Sequence, residues 1–223
     1  MDGILNHIQA LATDYDETIA TDGRVDSHTL AVLARFRASG RKLILNTGRT
    51  LRDLRGAFPN LELFDLVVVE NGAVLHDPHA RRTTLLAKPP PQMLLDALHR
   101  RGVPLLAGEV ILETWTTYSH AISRAIEETG VPRHLTYNKS SVLINPPGVH
   151  KGHGLLAALK QFGISPEHTA GIGDAENDHD LLAASGLAIA VPHAIPELKK
   201  RAHHILGPIE LIGRILTPSA EHA

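Results

Sequence analysis

With 223 residues, 22 Lys plus Arg against 24 Asp plus Glu (net charge −2 with neutral His) and 43% hydrophobic content, the chain reads as an ordinary globular protein, long enough to bury a good core. The charge balance gives no support to a nucleic-acid or anionic-membrane partner, and the absence of Cys excludes disulfides, thiol catalysis and cysteine–zinc sites. The first residues lack a basic stretch followed by a long apolar one, and no run approaches a membrane span, so a cytoplasmic protein is the expectation.

In chain order, Ile8 to Asp14 reads as a buried strand. Ser27 is a candidate N-cap for a helix carrying Leu30, Leu33, Ala34 and Arg37 at helical spacing, and Gly40 closes it. Lys42 to Asn46 is a second strand, and Thr50 caps a short helix ending before Pro59. Leu66 to Glu70 is a third strand, with Asn71-Gly72 as a hairpin turn into Ala73-Val74-Leu75. The rhythm then breaks at Lys88-Pro89-Pro90-Pro91. A helix (Met93 to Arg101), a strand (Glu109 to Trp115), a helix (Ser119 to Thr129) and two strand-like runs (His134 to Tyr137, Val142 to Ile144) follow, up to a second breaker, Asn145-Pro146-Pro147-Gly148. Strand and helix alternation resumes with a helix over Lys151 to Phe162, a strand over Thr169 to Gly173 and a helix over Asn177 to Ala184. Leu187 to Val191 is a further strand, before helices over Ile195 to Ala202 and Ile209 to Leu216. The pattern predicts an α/β fold with a parallel sheet. Residues 1–79 and 149–223 form its core, and residues 80–148 an inserted α+β lobe.

Two acidic clusters stand directly after buried strands: Asp14-Tyr15-Asp16-Glu17-Thr18 and Gly173-Asp174-Ala175-Glu176-Asn177-Asp178. Strand ends are where ligands bind in open α/β sheets, and carboxylates gathered there repel unless a cation joins them. Asp14 and Asp16 are candidates for a nucleophile and an acid/base in phosphoryl transfer. Asp174 and Asp178 add the hard oxygen ligands that Mg²⁺ prefers. If four Asp converge with one Lys, the charge is −4 + 1 = −3, and one Mg²⁺ and a proton on Asp16 bring it to zero. Thr47-Gly48-Arg49, after the second strand, offers a hydroxyl and backbone N–H groups to phosphoryl oxygens. Lys151, opening a helix, offers charge and hydrogen bonds to developing negative charge.

Asp14-x-Asp16-x-Thr18, Thr47, Lys151 and Gly173-Asp174-x-x-Asn177-Asp178 resemble, in order, the four motifs of the haloacid-dehalogenase-like (HAD) phosphatases. Glu70-Asn71-Gly72-Ala73 resembles a stretch of the sugar-phosphatase-like branch, whose cap of C2 type lies between the second and third motifs. That branch includes sucrose-phosphate, mannosyl-3-phosphoglycerate and phosphoglycolate phosphatases. The resemblance spans nearly the whole chain and implies a Rossmann-like core, an α+β cap and Mg²⁺-dependent hydrolysis of a small phosphorylated metabolite by a monomer or homodimer. It assigns Asp14 as nucleophile and metal ligand, Asp16 as acid/base with its carbonyl on the metal, and Asp174 and Asp178 as further metal ligands. Thr47, Gly48, Lys151 and Asn177 would hold the phosphoryl group. Glu17 departs from the branch, which usually has Gly there. A sugar phosphomutase and a receiver-like phospho-Asp signalling domain are the alternatives, though the inserted lobe has no role in the latter.

Competing motifs fail: His179 stands at the glycine position of an EF-hand loop, Glu176 replaces the third Gly of a dinucleotide fingerprint, and no P-loop run exists. His150, His153 and the pair His203-His204 read as surface or satisfied histidines. Trp115, Tyr118 and Tyr137 are candidates for a substrate pocket or, for Trp115 equally, for core packing. Arg81, Arg82, Lys88, Arg124, Arg133 and Lys139 are candidates for recognising an acidic substrate tail, though most of them read as ordinary solvated charges.

Overall fold

Eight strands form one sheet in the order β12-β11-β10-β1-β2-β3-β4-β5 in the computed structural model, which describes residues 5–217. The strands are β1 (Ala10–Thr13), β2 (Lys42–Asn46), β3 (Leu66–Val69), β4 (Val74–Asp77), β5 (Arg82–Leu85), β10 (Thr169–Gly173), β11 (Leu187–Ala190) and β12 (His204–Ile205). Pairing is parallel from β12 to β3 and antiparallel from β3 to β5. Every residue of β1, β3, β10 and β11 is buried, as a parallel sheet covered on both faces requires. The covering helices include α1 (Ser27–Ala38), α2 (Leu51–Ala57), α5 (Lys151–Phe162), α6 (His179–Ala183), α7 (Pro196–Lys199) and α8 (Pro208–Leu216). The chain leaves β1 toward β2 and later returns to its other side as β10. This reversal of strand order opens a crevice at the strand ends. Thr13 is level with Leu45 on one side and Ile172 on the other, so Asp14, Thr47 and Asp174 emerge close together.

A second sheet, β6-β7-β9-β8, is antiparallel throughout and carries α3 (Gln92–Arg100) and α4 (Ser119–Thr129). Its strands are β6 (Leu106–Ala107), β7 (Leu112–Trp115), β8 (His134–Asn138) and β9 (Ser141–Asn145). It has its own apolar cluster, built on Leu94, Leu98, Leu112, Ile122, Val142 and Ile144. Val110, Ile111 and Leu143 pack into the larger core instead and join the two lobes. Hydrogen bonding of β5 to β4 carries the larger sheet past residue 80.

Local chemistry explains where boundaries differ from the pattern. The N-cap of α1 is Asp26, one residue before Ser27. Its carboxylate accepts both the N–H (2.9 Å) and the hydroxyl (2.6 Å) of Thr29, a stronger cap than a Ser hydroxyl makes. Thr50 caps α2 as its sequence implies. The expected two-residue hairpin at Asn71-Gly72 is a four-residue connection, since Val69 pairs with Val74. Glu70, Asn71 and Gly72 all have positive φ (52°, 53° and 97°), at a cost of about 1–2 kcal/mol for Glu70. The strand read from Glu109 begins only at Leu112, because the preceding backbone N–H groups bond the Glu70 carboxylate rather than a neighbouring strand. The helix read from Asn177 starts as a 3₁₀ turn (Glu176–Asp178) before α6. β5, β6 and β12 were not foreseen: β5 is exposed at every position, and the other two are two residues long.

Candidate active site

Lys151 is the centre of the crevice. It is fully buried, an expensive position for an ammonium. It also opens α5, where the helix dipole disfavours a cation. Two carboxylates offset both costs: its Nζ lies 2.6 Å from Asp14 Oδ1 and 2.6 Å from Asp178 Oδ1. Asn46 at the end of β2 donates to the Lys151 carbonyl (2.9 Å), and His150 caps the helix by accepting the His153 N–H (3.3 Å). Asp178 is fixed from its other oxygen, which accepts the N–H groups of Asp174 (2.9 Å) and Ala175 (3.1 Å). Gly173 makes this possible, since a Cβ there would collide with the Asp178 carboxyl carbon.

Asp14, Asp174 and Asp178 are buried, and their ligating oxygens lie within 4.8 Å of one another. Burial pushes the Asp14 carboxyl up to about 8, against the pull of Lys151 and with the push of Asp178 and Asp174. Burial, then Asp178, also raises Asp174. Burial disfavours the Lys151 ammonium, but the attraction of Asp14 and Asp178 more than offsets it and keeps the amine charged above its usual range. Three carboxylates and one ammonium sum to −3 + 1 = −2. With all three acids ionised, Lys139 at the rim (3.3 Å from Asp174) still leaves one negative charge on a buried set of hard oxygens, which fits a divalent ion of the Mg²⁺ type.

Asp16 does not join this group: its carboxylate forms a bidentate pair with Arg49 (2.7 Å to Nε and 2.7 Å to Nη2), so three Asp converge rather than the four counted from the sequence. The Arg49 guanidinium also lies over the Tyr15 ring, 5.4 Å from its centroid. Tyr15 is buried, with Phe58 beside it (6.1 Å between centroids), and its hydroxyl donates to the Gly23 carbonyl (2.9 Å). Thr47 is buried, and its Oγ1 accepts the Arg49 N–H (3.2 Å). Gly48 and Asn177 face each other across the crevice, with Asn177 Nδ2 3.5 Å from where a Cβ of Gly48 would stand.

A cavity of about 310 Å³ opens over these groups. Asp14, Asp16, Thr47, Gly48, Asp174 and Asn177 form its floor, and Glu113, Asn138, Lys139 and Leu143 of the second sheet its roof. Asp53, Glu113, Asn138 and Leu143 are site groups that sequence reasoning did not single out, and the Arg49 side chain was given no role. Arg49 had one signal, its place beside Thr47-Gly48. Lys139, read with the solvated charges, instead pairs with Asp174 (3.3 Å) from the tight turn between β8 and β9. Trp115 is half exposed (51%) rather than packed in a core, and neither it, Tyr118 nor Tyr137 lines this cavity. Three of the histidines bond elsewhere: His150 caps α5, His153 faces the Gly72 carbonyl (3.1 Å) and His203 accepts the Ala188 N–H (3.1 Å).

Known proteins align with this architecture. The family model for haloacid dehalogenase-like hydrolases matches residues 11–102 and 109–210. The chain is 26% identical over 211 residues to a phosphoglycolate phosphatase of Methanococcoides burtonii, covering 89% of each chain. It is 27% identical over 241 residues to one of Aeropyrum pernix, covering 97% of each. Among solved structures, a haloacid dehalogenase-like hydrolase from Bacteroides thetaiotaomicron superposes with a TM-score of 0.79 at 17% identity, over 93% of this chain and 99% of that one. A HAD subclass IIB sugar phosphatase superposes with a TM-score of 0.76 at 19% identity, over 93% and 96%. These structures share the parallel-sheet core with a separate antiparallel lobe. Among the described residues, no helix is long and apolar enough to cross a membrane. The chain belongs to the haloacid dehalogenase-like hydrolase family.

Proposed function

We propose that this hydrolase is a Mg²⁺-dependent phosphatase that cleaves a small phosphomonoester through a phospho-Asp14 intermediate. The observation that carries the reading is the buried triad Asp14, Asp174 and Asp178 at the strand ends, with Lys151 bonded to two of its members. Asp14, Asp174, Asp178 and the Asp16 backbone carbonyl would hold the ion. When bound, Mg²⁺ supplies positive charge that lowers the Asp14 carboxyl and offsets the charge of a phosphate dianion. Lys151, the Thr47 hydroxyl, the Gly48 N–H and Asn177 hold the phosphoryl oxygens. The Asp14 carboxylate attacks phosphorus, forming an O–P bond as the bond to the leaving oxygen breaks, and Asp16 gives that oxygen its proton. Asp16, again a carboxylate, then takes a proton from water as the water oxygen attacks phosphorus and frees Asp14. For both steps Asp16 must loosen its pairing with Arg49.

The lobe of β6 to β9, α3 and α4 acts as the cap in this reading, and it begins after β5 rather than at residue 80. Glu113, Asn138, Lys139 and Leu143 bring lobe residues over the reaction centre, where closure excludes water and selects the substrate. A cavity of about 310 Å³ suits a small metabolite. Phosphoglycolate is the first candidate because relatives carry that name, followed by sugar phosphates and phosphoglycerate derivatives. The test is Asp14→Asn, assayed for phosphate release with Mg²⁺ on phosphoglycolate and on p-nitrophenyl phosphate. Turnover should fall by a factor on the order of 10³ or more, since the amide neither attacks nor ligates well. Full retained turnover refutes the mechanism.

A further inference from the structure

The turn Glu70–Asn71–Gly72 makes contacts on four sides. The Glu70 carboxylate is buried, and no ion-pair partner meets it among the described residues. It accepts three successive backbone N–H groups instead, from Glu109 (2.8 Å), Val110 (2.8 Å) and Ile111 (3.1 Å). Consecutive N–H groups of this kind form an anion-binding concavity, here filled by a side chain some forty residues earlier. Glu109–Ile111 is the stretch that leads into β7 of the smaller lobe. The next residue meets the way back: Asn71 Nδ2 donates to Oδ1 of Asn145, the last residue of β9 (3.3 Å). Gly72 presses on the start of α5, where any Cβ would collide with the His150 carbonyl, and its own carbonyl faces His153 Nδ1 (3.1 Å). On the fourth side, the Glu70 N–H donates to the Arg49 carbonyl (2.9 Å) and the Asn71 N–H to the Thr47 carbonyl (3.1 Å).

We propose that Glu70–Gly72 is a junction that sets the smaller lobe, the Thr47 loop and the Lys151 helix in one arrangement, with Glu70 as a positioning residue that touches no substrate. The proposal rests on the reading of Thr47 and Lys151 as phosphoryl-holding groups. The β6–β7 connection of the smaller lobe and the return crossing after Asn145 both meet this turn, so a shift of the roof is felt at the floor through bonded, buried contacts. The carboxylate matters as a charge because it is the acceptor for three donors that burial separates from water.

Two variants approach the junction from opposite sides. Glu70→Gln keeps the size but turns an N–H₂ group toward a donor. Gly108→Ala leaves the turn untouched and puts a Cβ where the Glu70 carboxylate stands. Hydrogen exchange on both, beside steady-state kinetics with p-nitrophenyl phosphate and Mg²⁺, reads the outcome. Exchange of the Glu109–Ile111 amides should rise about tenfold or more. The Glu70 and Asn71 amides and the first turn of α5 should follow, with β1 and β10 unchanged. The kcat should fall about tenfold while KM stays within about threefold, as misplaced groups predict. Retained protection of Glu109–Ile111 in both variants overturns the proposal. So does its loss without any change at Asn71, α5 or kcat. If Glu70→Gln does not fold, Gly108→Ala decides by the same readouts. If the wild-type protein turns over no phosphomonoester, the proposed function fails, and exchange at Asn71 and α5 still decides the junction.

Discussion

Replacing Lys151 by Met keeps the stem and removes the buried ammonium. Asp14 and Asp178 each lose a 2.6 Å bond to it, and Asp174 lies within 4.8 Å of both with no interior cation left among them. Removing one partner of a buried ionic group costs about 3–5 kcal/mol. For a chain of this size each kcal/mol lowers Tm by about 2–4 °C, so the expected loss is about 6–20 °C (3 × 2 to 5 × 4). The sign with pH follows from the carboxylates. Without Lys151 their folded-state affinity for protons rises further above the unfolded value. The penalty is therefore absent below about pH 4, the ordinary carboxylate range, and grows as pH rises toward the folded value. Scanning calorimetry in metal-free buffer at pH 5 and pH 8 measures it, and Asp178→Asn on the Lys151→Met background should restore part of the loss because the two sites couple. A Tm change below about 2 °C at pH 8, or equal losses at both pH values, would show that Lys151 does not hold the triad's charge.

The wild-type protein should show a related effect. The Asp14 carboxyl, at about 8 in the fold against 3.8 as a free group, favours the folded state when protonated. Metal-free stability should then decline between pH 4 and pH 8, and Mg²⁺ should raise Tm more at pH 8 than at pH 5. Equal increments would argue against a carboxylate metal site. Gly173→Ala should displace the Asp178 carboxyl group from the Asp174 and Ala175 amides. Calorimetric titration should show Mg²⁺ affinity reduced by about tenfold or more, as for other losses of ligand support, and unchanged affinity would count against Asp178. Arg49→Ala removes the bidentate partner of Asp16. Because the pair is partly exposed, stability should fall by less than about 1 kcal/mol. Because Asp16 must leave this pair to act, kcat should hold or rise, and a fall of about tenfold would show instead that Arg49 orients Asp16.

Strand and helix alternation, the two breaker runs and the apolar stretches were enough to read β2, α4, α5 and β10 at their observed bounds, because these elements are set by local periodicity and caps. Side-chain bonding to the backbone decided other boundaries: Asp26 took the cap that Ser27 also suits, and Glu70 held the amides that would have extended β7. Short or exposed strands such as β5 and β12 have no periodic signature to read.

The acids and the lysine were legible one by one, each after a strand or at a helix start, where chain direction dictates their placement. Distances among them were not. Sequence spacing does not state that Lys151 lies 2.6 Å from Asp14, 137 residues earlier, or that Asp16 turns to Arg49 and leaves a triad. The roof over the site and the Glu70 junction likewise belong to no local pattern. The sequence by itself determined the fold class and which chemical groups stand at the strand ends, because both follow from local patterning. Only the tertiary structure decided which of those groups share a charge, since that depends on long-range burial and on what each carboxylate can reach.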